Sequence, residues 1–169
     1  KMATKDAQIA ALQAQINPHF LFNSLNAGAQ LAMMEDAEQT GIFVEKMADF
    51  FRYNVKKGQE DATLGEELEA VDNYIYILNV RFAGDIHFNK DVDESLENVR
   101  VPSMILQPVV ENAVNHGIRD IEWEGKIHLT VTGDADYIRI SVKDNGKGMT
   151  PEQIESVLSG NKEHCNEQS

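Results

Sequence analysis

The sequence has little of several features that would otherwise point to a class of function. Its single cysteine, Cys165, excludes an intramolecular disulfide framework and is typical of a protein kept in a reducing compartment. Its 15 Lys and Arg residues stand against 28 Asp and Glu, and this formal net charge of −13 argues against nucleic acid or an anionic membrane surface as a direct partner. It has no run of about 18 apolar residues and no signal peptide, so no membrane-spanning helix is predicted.

What the chain does contain is enough apolar material for a folded core. Its 169 residues are 42% hydrophobic and 25% charged, which suits one ordinary domain or two small ones. The sequence starts at Lys1 directly with helix-forming residues. We therefore expect a fragment of a longer protein, whose upstream part would include any membrane anchor.

The first half of the sequence predicts helices only. Apolar residues at helical spacing indicate a long helix over residues 1–34, bent near Pro18, and a second helix over residues 36–56. A third helix begins at the capping-box sequence TLGE, residues 63–66, and ends near Gly84. We interpret residues 1–84 as one helical domain.

After Gly84 the apolar residues alternate with polar ones, as they do in strands. We predict a strand at residues 86–90, an acidic loop, and a short helix over residues 103–116 that is closed by Gly117. A β-hairpin, a glycine loop at residues 144–149 and a capped helix that ends near Gly160 follow. The sequence therefore predicts an α+β fold, with an α/β domain over residues 85–169 behind the helical domain.

One histidine in the first region stands in an unusual setting. Ile9, Leu12 and Ile16 form an apolar helical seam, and the next position of this seam is His19. Pro18 bends or restarts the helix directly before it, which would leave the edge of the imidazole reachable. A lone helical histidine is more often a surface or core residue, so this stretch alone leaves its role open.

Two motifs in the second region together fit the binding of ATP. They are ENAVNHG at residues 111–117, on a helix, and DNGKG at residues 144–148, after a strand. The side-chain oxygen of Asn112 is a hard ligand of the kind that Mg2+ prefers. The carboxylate of Asp144 can accept the 6-amino group of adenine, whereas guanine has a carbonyl oxygen at that position.

The other residues of these motifs have narrower candidate roles. Gly146 and Gly148 let the backbone approach the base and ribose where a Cβ would collide. Glu111, beside the metal ligand, is placed to orient or deprotonate the attacking group. His116 either contacts a phosphate or simply ends the helix.

These motifs resemble the N box and first G box of the Bergerat ATP-binding fold. QPVVENA at residues 107–113, YIYILNVRF at residues 74–82 and NPHFLFN at residues 17–23 resemble segments of the LytS/YesM-type sensor histidine kinases. The resemblance covers about residues 12–160. It implies a helical dimerisation and phosphoacceptor domain followed by a Bergerat-type α/β sandwich.

The resemblance also implies a mechanism, in which His19 receives the γ-phosphoryl group of ATP and passes it to an aspartate of a response-regulator receiver domain. Glu111 would assist the transfer, and Asn112 would hold Mg2+. The other residues that would hold ATP are Asn115, His116, Asp144, Gly146 and Gly148. It further implies a homodimer through the N-terminal helices, in the cytoplasmic portion of a bacterial cell-membrane protein that is anchored by an upstream region.

The sequence departs from this family at three points. Relatives usually carry a lysine where this chain has Asn115. A second glycine box does not occur before Ser169, so we expect an ATP-binding domain that is partial in this fragment. The Glu-x-x-Asn/Thr motif that other histidine kinases use for phosphatase activity does not follow His19, so we assign no phosphatase function from the sequence.

Two other functions remain open from the sequence. The chain would serve as a dimeric scaffold with a degenerate nucleotide site if His19 were only structural. Another ATPase of the same fold would need a general-base glutamate one helical turn before Asn112, and Pro108 occupies that position.

Overall fold

The protein is described from a computed structural model, which describes residues 18–55, 61–81 and 86–160. The predicted helical seam of Ile9, Leu12 and Ile16 lies outside the described residues. The same holds for the end of the chain beyond Gly160, including Cys165.

The first two helices form an antiparallel hairpin. Helix α1 covers Pro18–Met34 and helix α2 covers Glu38–Val55, and both agree with the helices predicted from spacing within the described residues. Asp36 makes the tight turn between them in the left-handed region, at φ 57°. The helices are packed closely, because a Cβ built on Gly41 would lie 2.7 Å from Cε of Met33.

Helix α3, Leu64–Arg81, follows a short strand β1, Ala62–Thr63, and packs on the second half of the chain. Thr63 caps it, because its hydroxyl oxygen accepts a 3.1 Å hydrogen bond from the backbone N–H of Glu66. Its predicted apolar stripe is buried in the main hydrophobic core. The buried members of this stripe are Leu64, Leu68, Val71, Ile75 and Leu78.

A three-stranded sheet lies on the other side of this core. Its strands are β2, Ile86–Val92, β4, Gly125–Gly133, and β5, Ile138–Asp144, in the order β2-β4-β5. The β4–β5 hairpin is antiparallel, as predicted, whereas β2 pairs with β4 in parallel. A second small pairing, which was not predicted, joins β1 to β3, Arg100–Val101.

The helix predicted over residues 103–116 is wrong at both ends. Helix α4 starts at Gln107 and covers Gln107–Asn112, because Met104 has a left-handed φ of 62° that a helix cannot contain. It continues as a π-helical turn, Ala113–Ile118, so Gly117 lies inside the turn and does not close a helix. A 3.0 Å bond from the N–H of Arg119 to the carbonyl of Val114 spans five residues, which is the π pattern.

The last described helix, α5, covers Pro151–Leu158 and begins with the predicted capping box. The Thr150 hydroxyl oxygen accepts from the N–H of Gln153 at 3.2 Å, and the Gln153 side chain accepts from the N–H of Thr150 at 2.9 Å. The described residues thus form an α+β fold, as predicted. The division at Gly84 stays a prediction, although α3 shares its core with the sheet.

Candidate functional site

The two motifs of the second region meet where β5 ends. Asp144 is the last residue of β5 and pairs with Ile127 across the hairpin, while Gly117 lies in the π-helical turn. A Cβ built on Gly117 would lie 2.6 Å from Oδ1 of Asp144. The half-buried carboxylate therefore occupies the space that any larger side chain at position 117 would need.

The glycine loop is fixed to the same turn through its backbone. A Cβ on Gly146 would lie 2.0 Å from the carbonyl oxygen of Gly117, and that oxygen accepts a 3.1 Å bond from the N–H of Lys147. Gly148 has a different requirement, since its φ is +69°, while no atom of the described residues lies within 4 Å of a Cβ built on it. The structure thus brings Gly117, Asp144 and Gly146 together.

Asp144 also binds its own loop. Its Oδ1 accepts a 2.9 Å hydrogen bond from the backbone N–H of Gly146. This contact fixes one carboxylate oxygen against the loop. The orientation of the carboxylate therefore depends on the peptide that joins Asn145 to Gly146.

Sequence reasoning missed the residue that holds this loop in place, Asn145. Its side-chain oxygen accepts from the N–H of Lys126 at 2.7 Å, and its side-chain nitrogen donates to the carbonyl of Glu124 at 2.9 Å. Its backbone N–H donates to the carbonyl of Lys126 at 3.1 Å, and its backbone carbonyl accepts from the indole N–H of Trp123 at 2.8 Å. The partners lie 19 to 22 residues away, and nothing in the local sequence pattern could have indicated them.

Helix α4 presents the remaining candidate residues of the first motif. Glu111 is half-buried, and its Oε1 accepts a 2.9 Å hydrogen bond from the side-chain nitrogen of Gln107. Gln107 is only 3% exposed, and its own side-chain oxygen has no hydrogen-bond partner among the described residues. This buried amide holds one oxygen of Glu111, which limits the directions that the carboxylate can take.

The polar side chains that follow on α4 and the π-helical turn are open to solvent. Asn112, Asn115 and His116 are all exposed. Within the described part of the chain, no group of three His, Cys, Asp or Glu side chains could hold a metal ion. An exposed asparagine oxygen fits Mg2+ that arrives with phosphate oxygens and water as its other ligands.

The phosphoacceptor candidate lies far from this loop in sequence. His19 is the second residue of α1, after Pro18 at the start of the helix, and its side chain lies outside the described atoms. In the same hairpin, the guanidinium of Arg52 lies 5.3 Å from the centre of the Phe22 ring.

A buried carboxylate connects the helical hairpin to the segment before α4. Glu67 on α3 is 0% exposed, and its two oxygens accept hydrogen bonds from the Tyr53 hydroxyl and, at 2.6 Å, from the N–H of Ile105. Burial, together with the hydrogen bond and the negative charge of Glu67, raises the pKa of Tyr53 well above its usual value. Tyr53 therefore remains a hydrogen-bond donor at physiological pH.

Comparison with known protein families assigns both halves of the chain. Residues 7–86 match the histidine kinase family, and residues 100–167 match the family of histidine kinase-, DNA gyrase B-, and HSP90-like ATPases. The sensor histidine kinase YpdA of Escherichia coli strain K12 is 38% identical over 168 residues, which cover 96% of this chain. The sensor protein LytS of Staphylococcus epidermidis strain RP62A is 32% identical over 154 residues, or 90% of the chain.

This chain belongs to the LytS-related sensor histidine kinases. The chain spans 29% of the length of YpdA and 26% of the length of LytS. Among solved structures, it is similar to the histidine kinase domain of the blue-light activated histidine kinase of Erythrobacter litoralis, with a TM-score of 0.41 and 20% identity. That similarity covers 89% of this chain and 75% of the other.

The chain has no helix, among its described residues, that is long and apolar enough to cross a membrane. The ATPase family match covers the glycine loop and both strands of the hairpin, and its description names ATP-hydrolysing relatives. The contact of Gly117 with Asp144 and Gly146 lies within this matched region.

Proposed function

We propose that this protein is an ATP-dependent histidine kinase of a two-component pathway. It transfers the γ-phosphoryl group of ATP to His19 and then to an aspartate of a response-regulator receiver domain. The observation that supports this most strongly is the contact of Gly117 with Asp144 and Gly146, which unites the two motifs of the nucleotide site.

In this proposal the C-terminal half holds the nucleotide. Asp144 accepts the adenine 6-amino group, and Gly146 and Gly148 let the base and ribose lie against the backbone. Asn112 coordinates Mg2+, which neutralises the phosphate charge and requires oxygen ligands. Asn115 and His116 are exposed on the adjoining turn and contact the phosphates.

The reaction begins with the lone pair of an unprotonated ring nitrogen of His19. It forms a bond to the γ-phosphorus while the bond from that phosphorus to the β–γ bridging oxygen breaks, and ADP leaves. The other ring nitrogen becomes acidic as the ring gains positive charge, and Glu111 accepts its proton. Gln107 orients Glu111 for this task through the 2.9 Å hydrogen bond to Oε1.

The partners and location in this proposal follow from the same family. The protein forms a homodimer through its N-terminal helices and acts on a response regulator. It is the cytoplasmic portion of a bacterial cell-membrane protein that is anchored by an upstream region. Nucleic acid is not a partner, and the formal net charge of −13 supports that exclusion.

Incubation with γ-labelled ATP tests the proposal. The wild-type protein should acquire phosphate that is stable in alkali and labile in acid, as a phosphorus–nitrogen bond is. The variant His19→Gln should acquire none while it binds ATP with unchanged affinity. Label on His19→Gln would overturn the acceptor assignment. A wild-type protein that binds ATP but stays unlabelled would instead indicate a scaffold with a degenerate site.

A further inference from the structure

We propose that Trp123 and Asn145 are positioning residues that fix the direction of the Asp144 carboxylate and thereby set the preference of the site for adenine over guanine. This inference rests on the proposed function, since it assigns a discriminating role to the same nucleotide site. It adds two residues that neither motif reasoning nor the family resemblance had assigned.

A single peptide group, the one that joins Asn145 to Gly146, connects Trp123 to Asp144. Its carbonyl oxygen accepts the 2.8 Å hydrogen bond from the indole N–H of Trp123. Its N–H, on the opposite edge of the same plane, donates the 2.9 Å bond to Oδ1 of Asp144. A peptide group is planar and rigid, so the indole at one edge fixes the donor at the other edge.

Asn145 itself is anchored by four hydrogen bonds. Both side-chain polar atoms and both backbone polar groups of Asn145 are hydrogen-bonded, to Glu124, Lys126 and Trp123. Three of these four bonds go to the main chain at the start of β4. The glycine loop is therefore fastened to the sheet, although the residue that fastens it is exposed to solvent.

The anchored loop holds the carboxylate of Asp144 in one direction toward the base. With Oδ1 occupied by the N–H of Gly146, the Asp144 carboxylate has its second oxygen left to accept the amino group of adenine. Without the indole bond, the peptide can rotate about the flexible Gly146, and the N–H then leaves Oδ1. A carboxylate that turns freely loses the fixed direction that favours an amino group over a carbonyl oxygen.

The size of the expected effect follows from one neutral hydrogen bond. Such a bond contributes about 0.5–1.5 kcal/mol, which corresponds to roughly twofold to twelvefold in an equilibrium constant. We therefore expect Trp123→Phe, which keeps the aromatic ring and removes the donor, to lower the ratio of ATP to GTP affinity by roughly threefold to tenfold. Asn145→Ala, which removes two side-chain bonds, should lower it further.

The structural half of the proposal can be tested on the full chain without nucleotide. Trp123 is the only tryptophan, so its indole N–H gives a single NMR signal that identifies the donor. Trp123→Phe should accelerate hydrogen exchange at the Gly146 amide several-fold. The control is Tyr137→Phe at an aromatic side chain that is 77% exposed, and it should leave that exchange unchanged.

The effect on base preference is tested by measuring the dissociation constants of ATP and GTP for wild type, Trp123→Phe, Asn145→Ala and Tyr137→Phe. A loop that is merely destabilised weakens both nucleotides alike and leaves their ratio unchanged, so the ratio separates positioning from stability. An unchanged ratio in Trp123→Phe and Asn145→Ala overturns the inference, even if Gly146 exchanges faster. A wild-type protein that binds neither nucleotide is a distinct result, which overturns the proposed function and the inference with it.

Discussion

Gly146 lies so close to Gly117 that a Cβ built on it would be 2.0 Å from the Gly117 carbonyl oxygen. The two residues are 29 positions apart, and each belongs to a different motif of the proposed nucleotide site. Because the obstructing atom belongs to the backbone, no rotation of a side chain can relieve the contact. The geometry of the proposed nucleotide site therefore requires glycine at position 146.

Gly146→Ala should weaken ATP binding by about tenfold or more, because the π-helical turn and the glycine loop must move apart to admit the methyl group. Isothermal titration with ATP measures the effect. The control is Gly28→Ala in the interior of α1, where the nearest atom is 3.9 Å from the added Cβ. That variant should keep its ATP affinity and gain up to about 1 kcal/mol of stability. Equal ATP affinity in both variants would contradict the prediction.

Asp144→Asn should reduce ATP affinity by roughly tenfold to a hundredfold, since a hydrogen bond to a charged group contributes about 1.5–3 kcal/mol. GTP should lose less or even gain, because an amide nitrogen can donate to the guanine carbonyl. Competition of ATP and GTP against a fluorescent nucleotide gives both constants. Asp136→Asn, in the exposed hairpin turn, is the matched control and should alter neither value.

Glu111→Gln should slow the labelling of His19 by about a hundredfold to ten-thousandfold, which is the usual contribution of general-base catalysis. The ATP dissociation constant should stay unchanged, because an amide of the same shape still accepts the bond from Gln107. Single-turnover labelling at saturating ATP separates the two quantities. Glu122→Gln on the exposed loop before β4 is the control. A Glu111→Gln protein that labels at the wild-type rate would remove Glu111 from the mechanism.

Tyr53→Phe should lower the free energy of unfolding by about 1–3 kcal/mol, because it leaves one oxygen of the buried Glu67 without its donor. Urea unfolding followed by circular dichroism measures the change. Tyr137→Phe removes a hydroxyl from an exposed side chain and should stay within about 0.5 kcal/mol of wild type. A loss of equal size in both variants would show that the bond to Glu67 makes no specific contribution to the free energy of unfolding.

The contact of Tyr53 with Glu67 also predicts a loss of stability at high pH. Burial raises the pKa of Tyr53 in the folded protein, so folding favours its protonated form. This contribution is complete below the unfolded pKa of about 10 and is lost as the pH rises from there towards the folded pKa. Urea midpoints measured from about pH 8 to about pH 11 should fall less steeply in Tyr53→Phe than in wild type. Parallel curves would be evidence against this assignment.

The parts of the fold that depend on local sequence were predicted well. The two capping residues Thr63 and Thr150, the β4–β5 hairpin and the apolar stripe of α3 all follow from spacing within a few residues. The parallel pairing of β2 with β4 and the pairing of β1 with β3 join segments more than 30 residues apart, and no local periodicity records such pairings.

The candidate site was likewise predicted from local motifs, whereas its long-range contacts were missed. The motifs named Asp144 and Gly146, and the structure brings both against Gly117, while the roles of the candidate residues stay predictions. Trp123 and Glu67 were missed, because their hydrogen-bond partners lie 22 and 38 residues away in the chain. The late start of α4 was missed as well, since a left-handed conformation at Met104 is uncommon for a residue other than glycine.

The shared core of α3 and the sheet limits how the protein can be dissected. A recombinant piece that started at residue 86 would lack α3 and would leave Ile127, Leu129 and Val131 partly exposed to water. We expect this piece to aggregate through the exposed apolar surface, even though it contains both motifs of the proposed nucleotide site. A piece that began at Ala62 would retain the helix together with the small β1–β3 pairing and would keep these three residues covered, but it would lose the Tyr53 hydroxyl that donates to the buried Glu67.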